Sequence, residues 1–522
     1  MNTQRSMLLV VLAMLLAAMV TVAWSVLPHT ASANSNTFYV APPPAGNDAN
    51  PCSLSQPCAT VQHAVDVAPS GGHILVATGD YTGVNTRGGM VQVVYLAKSM
   101  LIQGGYSADF GTWDPVAYPT TLDAEGAGRV VSLVGPSITA TLDSLVITGG
   151  DATGVTLDCP PAGGTSDGCG GGIFINQVKA LIARNVISGN VAAVSAGSNS
   201  ASGGGICMVY GNGTVITDNL IANNYASQGV RGMGGGIHLY YANGVQVVSN
   251  RLIDNVSTTS DATPGWGGGI AIGGSGAVAT ISGNWIEGNR TNGGSSGYGA
   301  GIYHWYGAST FTGNVLTSNV GPEAIYLGAY EDGRFEANLV ISNTTGVGIQ
   351  LVNGSGQTPV LVNNIVARSG EISLGARAYS GSPLAARLLH STLSGEGTGY
   401  GVYIAGEYVT LELTNNILAN HASAIVNDDP VNSAVIVDHT LFWNNGDNGI
   451  VGTNPVYGDP VFLDPVGSDY HVGPGSAAVD AALDIGELLD VDGDSRPIGP
   501  APEIGADEAR LRVYLPLILR DS

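Results

Sequence analysis

Gly170-Gly171-Gly172-Ile173, followed by Asn185-Val186-Ile187 and then Asn190, opens a stretch that is restated five more times. Gly203-Gly204-Gly205-Ile206 leads to Asn219, Ile221 and Asn224, and Gly234-Gly235-Gly236-Ile237 leads to Asn250, Ile253 and Asn255. Gly267-Gly268-Gly269-Ile270 leads to Asn284, Ile286 and Asn289, and Gly299-Ala300-Gly301-Ile302 leads to Asn314, Leu316 and Asn319. Ile325 with Asn338, Val340 and Asn343 keeps the frame after the glycines are lost. The isoleucines are 33, 31, 33 and 32 residues apart, then 23 and 24 to Ile325 and Ile349. From each isoleucine to the first asparagine takes 12 to 15 residues, so the length varies between the second asparagine and the next glycine run.

A unit of about two dozen residues with short apolar runs cannot bury an apolar face alone, but stacked on copies of itself it can. Strands in such a stack sit about 4.8 Å apart, so about a dozen coils predict a rod roughly 55 to 60 Å long. The repeated asparagines suit a sharp corner for two reasons: Asn tolerates left-handed backbone, and its amide can pair with the Asn above and below. The glycine runs suit a second corner with no room for Cβ. All of these residues read as scaffold.

Working outward, Val91–Tyr95, Leu101–Gln103, Val130–Leu133 and Leu145–Ile147 are short apolar runs bounded by Gly, Pro, Asp or Ser, as strands between corners should be. Ala59–Ala68 has apolar residues at helical spacing and stops at Pro69-Ser70-Gly71-Gly72, which predicts a short helix capping the open end of the first coil. Residues 34–58 are a leading linker containing Pro42-Pro43-Pro44, and residues 1–33 read as a signal peptide. Arg5 supplies the positive start, Met7–Val22 the apolar run and Ala31-Ser32-Ala33 the cleavage pattern. The run is long enough that an uncleaved anchor is the other reading. Either way the chain is expected to be exported, secreted or at the cell surface.

The chain has 77 glycines among 522 residues and a formal charge of −23, with 17 basic and 40 acidic side chains. That balance argues against a nucleic-acid partner, which needs clustered Lys and Arg. Five cysteines fit an oxidising compartment. Cys52 with Cys58, and Cys159 with Cys169, read as local disulfides pinning loops, leaving Cys207 over. No histidine stands at zinc-ligand spacing from either pair.

Gly-Gly-Gly-Ile repeats with Asn-x-Ile-x-x-Asn resemble the right-handed parallel β-helix of pectin-lyase-like secreted bacterial proteins. Thr60–Asp66 followed by Val76–Tyr81 resembles the cap and first coil of that superfamily. The resemblance spans about residues 58 to 445 and implies an all-β fold: one right-handed parallel β-helix over 59–454 with a capping helix. It implies no single activity, because relatives include lyases, hydrolases, epimerases and adhesins. Residues 455–508, with Asp459-Pro460-Val461-Phe462, Pro474-Gly475-Ser476-Ala477-Ala478 and Glu503-Ile504-Gly505-Ala506-Asp507-Glu508, resemble the choice-of-anchor Q segment that closes many bacterial β-helix surface proteins. Residues 509–522 form a short apolar tail, read either as an anchor or as an added strand. Membrane association is expected only through that tail or the N-terminal segment.

Lyases of the resembled fold use calcium held by carboxylates beside a Lys or Arg base. Lys98 and Lys179 are the only lysines, and neither lies near an acidic cluster of the repeat. Val437-Asp438-His439 lacks the arginines that pattern expects, and Asp428-Asp429 with His439 lacks the Arg-x-Lys of the hydrolases. No catalytic set is assigned. Asp490, Asp492 and Asp494 stand on alternate positions and would suit calcium, against a turn salt-bridged by Arg496 to one of the aspartates. No other cofactor is expected.

If the repeated isoleucines point inward, period-two alternation sends Phe174, Cys207, His238, Ala271, Tyr303 and Tyr326 outward, with Tyr240 and Trp305 two positions further on. The inserted loops add Trp266 and Tyr298 at the same corner. Insertions on one face of a solenoid build binding faces, and aromatic rings suit the apolar faces of sugars. His238, Tyr240, Trp266, Tyr298, Tyr303, Trp305 and Tyr326 are therefore the expected ligand-binding set, against rings that merely stiffen the rod. The expected partner is extracellular polysaccharide or another surface component, and the expected protein a non-enzymatic rod. The alternative is a calcium-dependent polysaccharide lyase or glycoside hydrolase.

Overall fold

The repeat closes into coils that carry three short strands each, and corresponding strands of successive coils pair in parallel. A computed structural model describes residues 36–154, 166–194, 200–292, 297–330, 333–354, 356, 358–379 and 381–509. The N-terminal segment read as a leader, the tail beyond Ala509 and Cys159 lie outside these residues. The first sheet has 14 strands, from Thr37–Val40 to Ala434–Asp438, and the second has 14, from Gly79–Tyr81 to Val456–Tyr457. The third has 13, from Asn85–Arg87 to Ser423–Asn427, and is parallel except at its opening hairpin. Fourteen layers at about 4.8 Å give a rod of roughly 60 Å. The fold is a right-handed parallel β-helix, as the repeat and its resemblance predict. No helix among the described residues is long and apolar enough to cross a membrane.

The capping helix is α1 (Val61–Val67), with the Thr60 hydroxyl accepting the His63 N–H. It lays Val61, Ala64 and Val65 over the first coil. The repeated isoleucines form one inward file, Ile173 to Ile206, Ile237, Ile270, Ile302, Ile325 and Ile349, each opposite the next. Alternation then fixes the outward files.

The asparagines form two buried ladders. Asn185, Asn219, Asn250, Asn284, Asn314, Asn338 and Asn364 pass an amide bond from coil to coil at 2.9–3.1 Å. Asn190, Asn224, Asn255, Asn289, Asn319 and Asn343 form the second, at 2.8–3.1 Å. One expected reason for Asn is corrected. The left-handed residue at each corner is the one before the asparagine, as at Arg184, Asp218, Ser249 and Asp254. The asparagine is selected for its amide alone. In the glycine runs the first residue has positive φ, and a Cβ on the second, Gly171, would meet the Val191 carbonyl oxygen at 2.2 Å.

The variable insertions are themselves ordered into small parallel sheets. Ser166–Cys169, Ser200–Ser202, Arg231–Met233 and Gly265–Trp266 form a four-stranded sheet, and Val191–Ala193, Tyr225–Ser227 and Val256–Thr258 a three-stranded one. They stand as a wall at one edge of the third sheet. Beyond residue 455 the chain folds back along the outside of the second sheet. Tyr470 and Ala506 pack on Ile341, Ile365 and Ala367, while Val472, Ala478 and Ile504 pack on Ile417, Ala419 and Leu441. Asn415 and Asn363 donate to the carbonyls of Leu483 and Leu489 at 2.7 and 2.8 Å.

Candidate functional site

The outward files of the third sheet meet the insertion wall at the aromatic residues. His238 faces Ala271, then Tyr303, then Tyr326 in register; two positions on, Tyr240 faces Gly273, then Trp305, then Gly328. Tyr303 and Tyr326 stack at 5.4 Å, Trp305 on Tyr326 at 6.0 Å, and Trp266 reaches from the wall to stack on Tyr303 at 6.0 Å. Tyr298 contacts Tyr326 at 4.7 Å, and the Arg231 guanidinium lies 5.0 Å above the Trp266 ring. The expected set therefore comes together, but not as a bare platform. His238, Tyr240 and Tyr326 are buried, while Trp266, Tyr298, Tyr303 and Trp305 are half-buried. Phe174 and Cys207, also expected outward, are covered in a small apolar cluster with Met90, Cys169, Val209 and Tyr240.

A cavity of about 210 Å³ opens among these rings, lined by Arg231, His238, Tyr240, Trp266, Gly273 and Trp305 with their neighbours. Two of the lining residues carry an orphaned polar atom: His238 Nδ1 and Trp266 Nε1 are buried without a hydrogen-bond partner. Burial pushes the His238 imidazole down to about 4, so it is neutral at ordinary pH. Burial likewise raises the Tyr240, Tyr303 and Tyr326 hydroxyls, which stay protonated.

Glu323 was missed in the sequence. It takes the corner position that Ala300 holds one coil earlier and accepts the Gly299 N–H at 3.1 Å. Burial lifts its carboxyl to about 7, against the Gly299 N–H and the Arg377 charge. The signal was available: a carboxylate at a position where the repeat otherwise keeps glycine or alanine. A second depression of about 520 Å³, polar and open, lies further along, between Ser342, Thr344, Thr345, Arg368, Glu396 and Thr398.

The expected calcium trio does not converge. Asp490 is buried and accepts the backbone N–H groups of Asp492 and Asp494 at 2.9 and 2.8 Å and of Glu508 at 3.0 Å, so it organises the turn itself. The ligand atoms that approach within 4.8 Å are those of His471, Asp492 and Asp507. His471 Nδ1 is 2.5 Å from Asp469, and its Nε2 is 3.0 Å from Asp492 without a well-aligned hydrogen bond. Burial alone would lower this imidazole, but Asp469 and Asp492 outweigh it and raise it to about 11. Arg496 pairs with none of the aspartates. It is buried against Glu508 at 3.3 Å and donates to the Glu503 and Gly505 carbonyls at 2.8 and 3.1 Å.

The faint catalytic patterns separate in space. Asp428 accepts from the Tyr403 hydroxyl, Asp429 holds the Asn432 turn, and His439 pairs with its own neighbour Asp438 at 2.9 Å. Among the cysteines, Cys52 and Cys58 are bonded, at a Cα separation of 4.6 Å. The sequence spacing missed that His63 of α1 approaches both sulfurs. Cys207, expected to be left over, is bonded to Cys169, Cα–Cα 5.7 Å, in place of the Cys159–Cys169 bridge. Cys169, in the insertion wall, packs with Phe174 of its own coil, and Cys207 lies one coil above Phe174, so the bridge joins wall to sheet across a spacing that a search for short loops overlooks.

The fold and its walled groove define the class, a right-handed parallel β-helix. The family of right-handed β-helix regions matches residues 165–326, the glycine–asparagine repeat itself. Among solved structures, XylC in complex with xylose is 10% identical, covering 82% of this chain and 87% of that one, with a TM-score of 0.43. Pectate lyase Pel9A is 14% identical over 91% of this chain and 96% of that one, TM-score 0.39. The A-module of the Azotobacter vinelandii mannuronan C-5 epimerase AlgE4 is 11% identical over 76% and 94%, TM-score 0.39. At such identities the likeness is one of fold alone. No curated protein matches the chain.

Proposed function

We propose that this protein is an exported β-helix rod that binds extracellular glycan through the groove between its third sheet and the insertion wall, without acting on it chemically. The observation that carries this reading is a cavity lined by aromatic rings, two of whose lining residues, His238 and Trp266, each keep a buried nitrogen without a partner. A buried polar atom left unpaired costs about 1–3 kcal/mol. A ligand hydroxyl that reaches it recovers part of that, while the rings cover the apolar faces of the sugar. The polar depression beside Arg368 has no comparable aromatic wall. Export is supported by the N-terminal pattern and the disulfides.

The test is a panel of neutral and acidic polysaccharides incubated with purified protein, with and without calcium. The reading expects retention on one or more of them and no new reducing or unsaturated ends. Calcium-dependent release of unsaturated products would establish the lyase alternative instead.

A further inference from the structure

The outward files define what the groove accepts. Ala271 and Gly273 are small residues of their two files, and they lie between His238 and Tyr240 on one side and Tyr303 and Trp305 on the other. The large residues flank them two coils apart, a gap of roughly 9.6 Å. Tyr240 and Trp305 lean the same way: an ideal Cβ at Gly273 comes 3.8 Å from Tyr240, and one at Gly328 would collide with the Trp305 ring. Trp305 leans further than Tyr240, so the slot over Gly273 is at least two coils wide. Apolar contact needs about 4 Å on each face of an inserted ring, so the gap suits a puckered six-membered ring held on both faces. The cavity, about 210 Å³, falls below the roughly 300–1,000 Å³ of sites for drug-sized molecules and matches one sugar unit.

Being held on both faces sets the stereochemistry. A pyranose whose hydroxyls are all equatorial presents C–H groups on both faces and its hydroxyls around the edge. An axial hydroxyl would point at one aromatic wall and be stripped of water there without a partner. His238, Trp266 and Arg231 line the same cavity and carry the nitrogen atoms that such edge hydroxyls can use. Resting on the glycan-binding reading above, we infer that the slot over Gly273 takes one gluco- or xylo-configured pyranose unit, sandwiched between Tyr240 and Trp305 and held at its edge by His238 and Trp266.

Gly273→Leu tests the slot cleanly. Gly273 has no positive φ, and a Cβ there meets only ordinary contact, so the fold tolerates the side chain while the slot is filled. Isothermal titration with gluco-, xylo-, galacto- and manno-configured oligosaccharides is run on wild type, Gly273→Leu and Trp266→Phe, with thermal unfolding as the fold check. Expected are binding of the gluco or xylo series, at least tenfold weaker binding by Gly273→Leu at unchanged melting temperature, and a severalfold loss in Trp266→Phe. Equal binding of the galacto or manno series overturns the stereochemical inference. Undiminished binding by Gly273→Leu overturns the slot while leaving glycan binding intact. No binding of any glycan by wild type removes the broader reading, and this one with it.

Discussion

Asn289→Ala removes one rung from the middle of an amide ladder. The Asn289 side chain is buried; its Oδ1 accepts the backbone and side-chain N–H groups of Asn255, each at 3.0 Å, and its Nδ2 donates to Leu252 O at 2.9 Å and Asn319 Oδ1 at 3.1 Å. After truncation the Asn255 backbone N–H loses its partner, the Asn255 amide keeps only its bond to Ile221, and the Leu252 carbonyl loses a donor. Asn319 Oδ1 also loses a donor but keeps the Asn289 backbone N–H, so at about 1–3 kcal/mol for the one fully orphaned group and less for the three that are weakened, the loss is about 3–5 kcal/mol. Urea unfolding followed by far-ultraviolet circular dichroism measures it. The double variant Asn255→Ala with Asn289→Ala should fall short of the sum of the two singles by about 1–2 kcal/mol, because both remove the same bond. Strict additivity, or a single-site loss below 1 kcal/mol, would refute the ladder as a cooperative element.

Other outcomes follow from the buried charges and the bridge. Stability should peak near pH 6. Below it, His238 and His421, held at about 4, and His304 and His390, at about 3, refuse protons that the unfolded chain takes up through 6.5, so stability falls with acidification. Glu323 and Asp507, raised to about 7 by burial, and Glu503, raised to about 9, keep protons that the unfolded chain releases from about pH 4 upward, so they oppose the histidines below pH 6 and alone make stability fall above it, up to pH 7 and 9. Melting temperatures from pH 4.5 to 9 check both limbs, and a maximum above pH 8 contradicts the buried carboxyls. Arg496→Met leaves the buried Glu508 with its two backbone N–H partners but no cation and should cost about 3–5 kcal/mol, read as early release of residues 455–509 to protease; unchanged protection would mean the pair does not hold that segment. Peptide mapping of non-reduced protein should yield a Cys169–Cys207 link across 38 residues, whose loss by Cys207→Ser is expected to cost at most about 4 kcal/mol. A Cys159–Cys169 peptide would contradict it.

The fold was legible because each coil repeats the same local solution. Ile173 and its successors fix the inward file, and Asn185 with its successors the ladder, so a one-dimensional period becomes a three-dimensional stack. Features made between coils were harder to see. Cys169 meets Cys207 where the insertion wall joins the sheet, and nothing in the spacing of either distinguishes it from the nearer Cys159. The alternation correctly drew His238, Tyr303 and Trp305 to one face, yet it carries no information on how far the insertion wall covers Phe174 or Tyr240. The C-terminal aspartates misled because alternate spacing suggests convergence only on an extended strand. Asp490 instead turns the chain on its own carboxylate, and the convergent partners, His471 and Asp507, come from elsewhere in the segment. Glu323 and Gly273 were visible all along as departures from the repeat.

The most direct test of the groove is hydrogen–deuterium exchange of the protein saturated with the glycan it retains. Protection is expected to concentrate in residues 231–241, 264–274 and 298–307, which carry the slot and its wall. Protection centred instead on the Arg368 depression, residues 342–345 and 395–398, or on the C-terminal segment would contradict the account.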